Sequence, residues 1–292
     1  MSKVDDKYAE YLNIFNGYLQ EFILCLEKNT PEIIREAIIY SLNNGGKRVR
    51  PVLCLAVADA LGVSFERVKN YCIAVELIHT YSLVHDDLPA MDNDDYRRGK
   101  LSTHKKFGEA FGILAGDALL NLAFEKCLDN SEFCKKDLDA CKVLFDFSGY
   151  KGMVSGQVLD LQNENSNFIS EQMLNDVYYN KTAKLLTAPL LIPSILAENK
   201  HYDNLMEYGL NLGMTFQIVD DLMDVEGSFE SIGKTPNKDV GVDKLTSIKV
   251  YGLDGARKKA KEYYLKTLEA VKDVENNEFL VSFAKKLFER KS

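Results

Sequence analysis

In FQIVDDLMDVEG, residues 216–227, two carboxylates sit four positions apart inside an otherwise apolar run. The apolar spacing is helical, and a step of four returns to the same face, so Asp220 and Asp224 share one side of a helix while Asp221 points elsewhere. An earlier stretch repeats the theme: HDDLPAMDNDDYRRG, residues 85–99, carries five aspartates (Asp86, Asp87, Asp92, Asp94, Asp95) within ten positions. At an effective dielectric near 20, two carboxylates about 5 Å apart repel by roughly 3 kcal/mol. A fold that accepts this twice has to leave its acids where a cation can reach them. Asp86 to Asp92 is a step of six with Pro89 between, so the helix is expected to end or distort there and let Asp92 swing back toward Asp86. Arg97 and Arg98 follow directly, making the stretch an acid cluster joined to an anion-binding pair. Mg2+ takes one or two protein carboxylates and completes its shell with water and phosphate oxygens, so a metal-bridged phosphate fits both halves. From the first stretch alone, a solvated acidic turn fits equally.

Helical spacing runs from end to end. Tyr8, Tyr11, Leu12, Phe15, Tyr18, Leu19, Phe22 and Ile23 fall at threes and fours, an amphipathic helix. A second helix is expected to take Thr30 as its cap with Pro31 in the first turn, and to stop at Asn43, Asn44, Gly45 and Gly46. Lys47, Arg48 and Arg50 come next, giving a turn with three cations suited to a diphosphate; the spacing of GGKR is not that of a Walker A loop. Ser64 caps a long helix whose C-terminal end delivers the first acid cluster. Tyr81 and Ser82, five and four residues before Asp86, lie about one turn deeper. Asp117, among Ala115, Gly116 and Ala118, is expected to be a buried acid with a partner. Ser170 caps a helix containing Lys181 and Thr182, its regularity limited by Pro189. Residues 227–247, rich in Gly, Pro, Asn and charge, read as a loop long enough to be a lid. No sustained strand alternation or hairpin signature is present, and the expected fold class is all-α.

The chain has 292 residues and no Gly/Ser/Pro-rich linker, so one domain over 1–292 is expected. Acids outnumber bases, 44 to 36, which speaks against a nucleic-acid surface. Six scattered cysteines without zinc-type pairs imply a reduced, cytoplasmic protein. The most apolar later stretch, residues 185–197, is well short of the ~20 residues a membrane helix needs and contains Pro189 and Pro193.

With these motifs in place, the chain resembles the bacterial-type short-chain trans-prenyl diphosphate synthases, and is similar to the farnesyl diphosphate synthases of the polyprenyl synthase family. Asp86, Asp87 and Asp92 match that family's DDxxxxD, and Asp220, Asp221 and Asp224 its DDxxD. GGKRVRP (45–51), RRG (97–99), GQVLDL (156–161), Lys181-Thr182, Phe216-Gln217 and Gly233-Lys234 follow in family order across nearly the whole chain. The resemblance implies an isoprenoid synthase helical bundle with two facing aspartate-rich motifs around a central cavity, commonly a homodimer. It implies condensation of isopentenyl diphosphate with dimethylallyl or geranyl diphosphate to farnesyl diphosphate. Asp86, Asp92 and Asp220 would hold two or three Mg2+ ions. Lys47, Arg50, His79 and Arg98 would bind the isopentenyl diphosphate, and Arg97, Lys181 and Lys234 the allylic one. Thr182 and Gln217 would stabilise the developing cation with fixed dipoles. Tyr81 and Ser82, an aromatic followed by a small residue, would form the floor that stops growth at fifteen carbons.

The chain departs from the family pattern at Asn237 and Lys238 before Asp239, and at Thr246-Ser247-Ile248, where Thr-Tyr-Pro is frequent. Geranyl and geranylgeranyl diphosphate synthases share the same motifs. A terpene cyclase also ionises an allylic diphosphate but has no use for a second diphosphate site at Lys47 and Arg50. A di-iron carboxylate bundle is raised by two Glu-x-x-His spacings, Glu76 with His79 and Glu198 with His201, though aspartate clusters have no role in one.

Overall fold

The computed structural model describes residues 3–26, 29–129, 133–164, 168–226 and 245–290. Nearly all regular structure among them is helical, as the spacing of apolar residues predicts. By their own contacts the elements form two compact units, Met1–Leu55 with Ser64–Asp137, and Ala56–Val63 with Leu138–Ser292.

In the first unit, α1 (Lys3–Leu24) buries Tyr11, Phe15, Leu19 and Phe22, the stripe its threes and fours predict. α2 (Glu32–Leu42) is capped by Pro31 and not by Thr30. A proline serves there because the first amides of a helix have no acceptor within it, so a missing N–H loses nothing. α3 (Val49–Leu61), whose last residues from Ala56 belong to the second unit, buries every residue from Val52 to Ala58. α4 (Phe65–Asp86) starts at Ser64, whose hydroxyl accepts the Arg67 N–H at 3.3 Å. It buries Tyr71, Leu77 and Ile78 completely, each Leu or Ile contributing roughly 1.5–3 kcal/mol.

Beyond α4 the chain forms a short hairpin, β1 (Tyr96–Arg97) and β2 (Lys100–Leu101), with Tyr96 opposite Leu101. Its turn residues Arg98 (φ 53°) and Gly99 (φ 77°) are both left-handed, as a two-residue turn of this kind requires. The sequence reading misses this hairpin, since two residues per strand show no alternation and arginine stands where asparagine is usual. α5 (Thr103–Phe107) and α6 (Glu109–Leu128) follow. α6 packs along α4, with Gly116 against His85, while Gly112 faces His104 of α5 and Leu88; Gly112, Ala115, Gly116, Leu119 and Ala123 are buried. Asp117 is on its outer face, 57% exposed, and not the buried acid expected from its small neighbours. Those neighbours serve the opposite face of the helix.

The second unit comprises α7 (Lys135–Ser148), α8 (Met153–Asn163), α9 (Glu171–Tyr178), a π-helical turn (Tyr179–Ala183), α10 (Lys184–Leu196), α11 (Tyr202–Glu226), α12 (Ser247–Ala270) and α13 (Glu278–Phe288). Ser170 caps α9 as expected, accepting the Met173 N–H at 3.2 Å. α10 runs through Pro189 and Pro193, and the irregularity expected at Pro189 falls upstream, in the π turn. α12 bends at Gly252 (φ 68°). Leu174, Tyr178, Met214, Ile218, Leu245 and Ala256 form the core where α9, α11 and α12 meet. Residues 227–244 lie outside the described residues, and with them Lys234 and most of the expected lid. No helix among the described residues is long and apolar enough to cross a membrane.

Candidate active site

The first acid cluster has the geometry anticipated from Pro89. α4 stops at Asp86, and the chain folds back so that the Asp92 N–H donates to the Asp86 carbonyl at 2.8 Å. Asp86 and Asp92 are half-buried, whereas Asp87 is buried and committed. Arg97 Nε donates to the two Asp87 oxygens at 2.9 and 3.3 Å, and its Nη2 reaches Asp87 and, at 3.5 Å, Asp94. Burial works against the Arg97 charge, but Asp87, Asp94 and Asp86 outweigh it and raise its pKa. The DDxxxxD acids therefore divide: Asp87 is buried against an arginine, whereas Asp86 and Asp92 are half-buried. Among the described residues no three His, Cys, Asp or Glu side chains converge into a ready-made metal site. Mg2+ does not require one, because it is held by one or two carboxylates plus substrate oxygens.

Four arginines and a histidine surround the turn between α2 and α3. Of the three cations expected to be offered there, Arg48 is withdrawn: it is buried, its Nη1 is 2.5 Å from Glu76 Oε1, and its Nη2 closes the end of α2 on the Leu42 carbonyl. That carbonyl is one a helix cannot satisfy itself. Arg98 Nη1 donates to the Gly45 carbonyl. Its guanidinium lies over Gly46 (φ 120°), where a Cβ would come within 2.3 Å of Nη1. Arg50 is brought down to about 10 by burial, with Arg98 assisting and Glu76 opposing, so it stays charged at neutral pH. Its buried Nε has no hydrogen-bond partner among the described residues, a donor left over for an anion. His79 is pushed well below the usual imidazole range by burial and by Arg50, Arg98, Arg48 and Arg97, and is held neutral. Lys47 is exposed, and its carbonyl accepts the Tyr8 hydroxyl at 2.5 Å.

Lys181, Thr182, Gln217 and Asp220 belong to the second unit. Lys181 Nζ is 2.6 Å from Asp160 Oδ2, which gives the polar residue in GQVLDL its partner. The Thr182 hydroxyl donates to Gln217 Oε1 at 2.9 Å. Both Lys181 and Thr182 lie in the π turn, clasped by two glycines. A Cβ at Gly156 of α8 would approach Lys181 N to 2.1 Å, and one at Gly213 of α11 would approach Ala183 Cα to 2.3 Å. Gln217 also hydrogen-bonds Asp221. Asp221 is buried and accepts from the Tyr178 hydroxyl and from Ser247, so it points away from Asp220 as the helical spacing predicts. Asp220 is half-buried, with Arg290 Nη1 at 3.3 Å. Arg290, like Glu76 as the counter-charge of Arg48, escapes the sequence reading because a single charged residue on a helix carries no motif.

Tyr81 is buried, its ring 5.8 Å from that of His85, and burial together with Asp86 pushes its hydroxyl up to about 12. Ser82 Oγ donates to the His79 carbonyl at 2.9 Å. Glu198, Asn199 and His201 all take positive φ in the turn after α10. They do not present the regular helical face that a di-iron Glu-x-x-His needs.

Residues 31–281 match the family described as Polyprenyl synthetase. Over 270 residues the chain is 43% identical to a farnesyl diphosphate synthase of Micrococcus luteus, covering 91% of this chain and 90% of that one. The chain belongs to the polyprenyl synthetase family. It is also 42% identical to a chloroplastic geranylgeranyl pyrophosphate synthase of Capsicum annuum, over 85% of this chain and 67% of that one. A crystal structure of a geranyltransferase from Helicobacter pylori, complexed with magnesium and isoprenyl diphosphate, superposes with a TM-score of 0.84 at 30% identity, covering 99% and 97% of the two chains. For a polyprenyl synthetase the donor chemistry is apt: half-buried carboxylates at Asp86, Asp92 and Asp220 are hard oxygen ligands suited to Mg2+. The unpartnered Arg50 donor suits a phosphate.

Proposed function

We propose that this polyprenyl synthetase is a trans-prenyltransferase that condenses isopentenyl diphosphate with dimethylallyl and then geranyl diphosphate, giving farnesyl diphosphate and pyrophosphate. The observation that carries this reading is the cation cluster of Arg50 and Arg98 around neutral His79, with a buried guanidinium donor unpartnered, in the same unit as the first aspartate motif. A terpene cyclase, which ionises a single diphosphate, has no use for it.

Asp86, Asp92 and Asp220 would hold two or three Mg2+ ions, whose contribution when bound is Lewis-acid polarisation of the allylic diphosphate. Arg97, Lys181 and Lys234 share its remaining charge, Lys181 exchanging Asp160 for phosphate oxygen. As the allylic carbon–oxygen bond breaks, the Thr182 hydroxyl and the Gln217 amide act as fixed dipoles for the positive charge on carbon. The double bond of isopentenyl diphosphate, whose own diphosphate is held by Lys47, Arg50, His79 and Arg98, then bonds to that carbon. Released pyrophosphate takes the proton, so no side-chain base is demanded. Tyr81 and Ser82 end growth at fifteen carbons.

The family match over residues 31–281 runs across both units, which supports reading 1–292 as one domain. A homodimer is supported by the outer face of α6, where Ile113, Leu114, Phe124 and Leu128 are exposed. A cytoplasmic location accords with the reduced cysteines. Incubation with labelled isopentenyl diphosphate and dimethylallyl or geranyl diphosphate, with and without Mg2+, followed by chromatography, tests the reading. A fifteen-carbon diphosphate formed only with Mg2+ is expected; a cyclic hydrocarbon, or no condensation, rejects it.

A further inference from the structure

Tyr81 and His85 are one turn apart on α4 and meet edge to face, with centroids 5.8 Å apart and planes at 83°. What holds His85 lies on its other side. Its Nε2 is 3.0 Å from the carbonyl oxygen of Ile113 in α6. A carbonyl only accepts, so Nε2 carries the hydrogen. The imidazole rests on Gly116, where a Cβ would come within 2.0 Å of Nε2, 2.3 Å of Cδ2 and 2.8 Å of Cε1. Asp117 Oδ1, at 3.9 Å, is too far for a hydrogen bond. The ring therefore occupies a slot that exists only because residue 116 has no side chain, between the backbone of α6 and the ring of Tyr81.

We propose that His85, seated on Gly116, is a positioning residue for product length: it is the backstop that keeps the Tyr81 ring across the path of the growing chain. The inference rests on Tyr81 being the floor. Tyr81 turns about two side-chain torsions, and among the described residues its hydroxyl makes no hydrogen bond that must break for the ring to swing. Its place is set by what it packs against. With the imidazole gone or pushed out of the slot, the ring is free to rotate into the vacated space. A fifteen-carbon product can then re-enter as the allylic substrate of one more identical condensation.

The test uses the full chain with geranyl diphosphate, labelled isopentenyl diphosphate and Mg2+, and reads the ratio of twenty- to fifteen-carbon product alongside total consumption. Variants are Tyr81→Ala, His85→Ala, Gly116→Ala and the double variant His85→Ala/Gly116→Ala. His85→Ala and Gly116→Ala should each raise the ratio about fivefold, the scale of losing one aromatic edge contact. The double variant should match His85→Ala alone, because the added methyl displaces a ring that is no longer there. A ratio does not depend on how much enzyme is folded, so a partly unfolded variant still answers. If Tyr81→Ala fails to lengthen the product, the floor is elsewhere. If it lengthens the product while His85→Ala and Gly116→Ala do not, or if the two changes add in the double variant, the backstop is overturned.

Discussion

Asp221 accepts both the backbone N–H and the hydroxyl of Ser247, at 2.7 and 2.6 Å, so the second aspartate of the DDLMD motif fixes the start of α12. The Tyr178 hydroxyl donates to the same oxygen. Burial pushes the Asp221 carboxyl up, and these bonds, with one from Gln217, counter that only in part. Ser247 stands where tyrosine is frequent in the family, and its small hydroxyl is what completes the set. Ser247→Ala should cost about 2 kcal/mol, the worth of a buried hydrogen bond to a charged group, which lowers the melting temperature by about 5 °C. Asp220→Asn should instead raise the Mg2+ concentration needed for half-maximal activity with little change in melting. Calorimetry paired with Mg2+ titration separates the two, and a metal response from Ser247→Ala matching that of Asp220→Asn would contradict the division.

Lys47 is exposed, so its replacement is expected to act on ligand more than on fold. Losing one charge-assisted hydrogen bond to a diphosphate, roughly 1.5–3 kcal/mol, corresponds to a tenfold to hundredfold weakening, about one to two powers of ten. Lys47→Ala should therefore raise the KM for isopentenyl diphosphate by that order and leave the KM for geranyl diphosphate nearly unchanged. Initial rates with each substrate varied in turn decide it, and equal increases would place Lys47 on neither diphosphate in particular.

What the sequence makes legible here is whatever has a period or a motif. The burial of Tyr11, Phe15, Leu19 and Phe22, the caps at Ser64 and Ser170, the stop before Pro89 and the divergence of Asp221 from Asp220 all follow from spacing alone. Roles that depend on which neighbour arrives from a distant segment do not. Arg48 reads as one more cation in a basic turn, and only Glu76, 28 positions on, makes it a buried strut. Asp117 sits among small residues, but small residues serve the opposite face of their helix. The hairpin at Tyr96 and Leu101 is too short to alternate. Arg290 reaches Asp220 across 70 positions with no local pattern to announce it.

The π turn supplies the third prediction. Its backbone is pressed at Lys181 by Gly156 and at Ala183 by Gly213, closely enough that a methyl at either glycine would collide with it. Backbone cannot rotate out of the way as a side chain can, so the helices must separate, at roughly 1–3 kcal/mol for overpacking. Gly156→Ala should lower both thermal stability and kcat, the latter because Lys181 and Thr182 move with the turn. A far-ultraviolet circular dichroism melt and steady-state rates check it; unchanged kcat in a destabilised variant would show that the turn does not set the position of the two side chains.

The last prediction concerns acid stability. Asp137 is completely buried and receives both Arg67 terminal nitrogens at 2.6 and 2.7 Å, the Tyr71 hydroxyl at 2.7 Å and the Cys134 N–H at 2.8 Å. Burial alone would raise its pKa, but these four donors more than compensate and hold the carboxyl well below the usual range. A carboxylate whose pKa is depressed by folding contributes stability above its unfolded value of about 3.9, and that contribution is lost as pH falls below it. At pH 7, Asp137→Asn should cost roughly 3 kcal/mol, the order seen when one member of a buried ion pair is removed. As the pH falls from about 5 toward 2, the unfolded chain takes up a proton at Asp137 while the native carboxylate, its pKa depressed, stays charged, so the gap between wild type and variant should close progressively. Urea midpoints measured across that range provide the check: a gap that stays constant would mean that the Arg67 and Tyr71 contacts stabilise the fold without depending on the charge of Asp137.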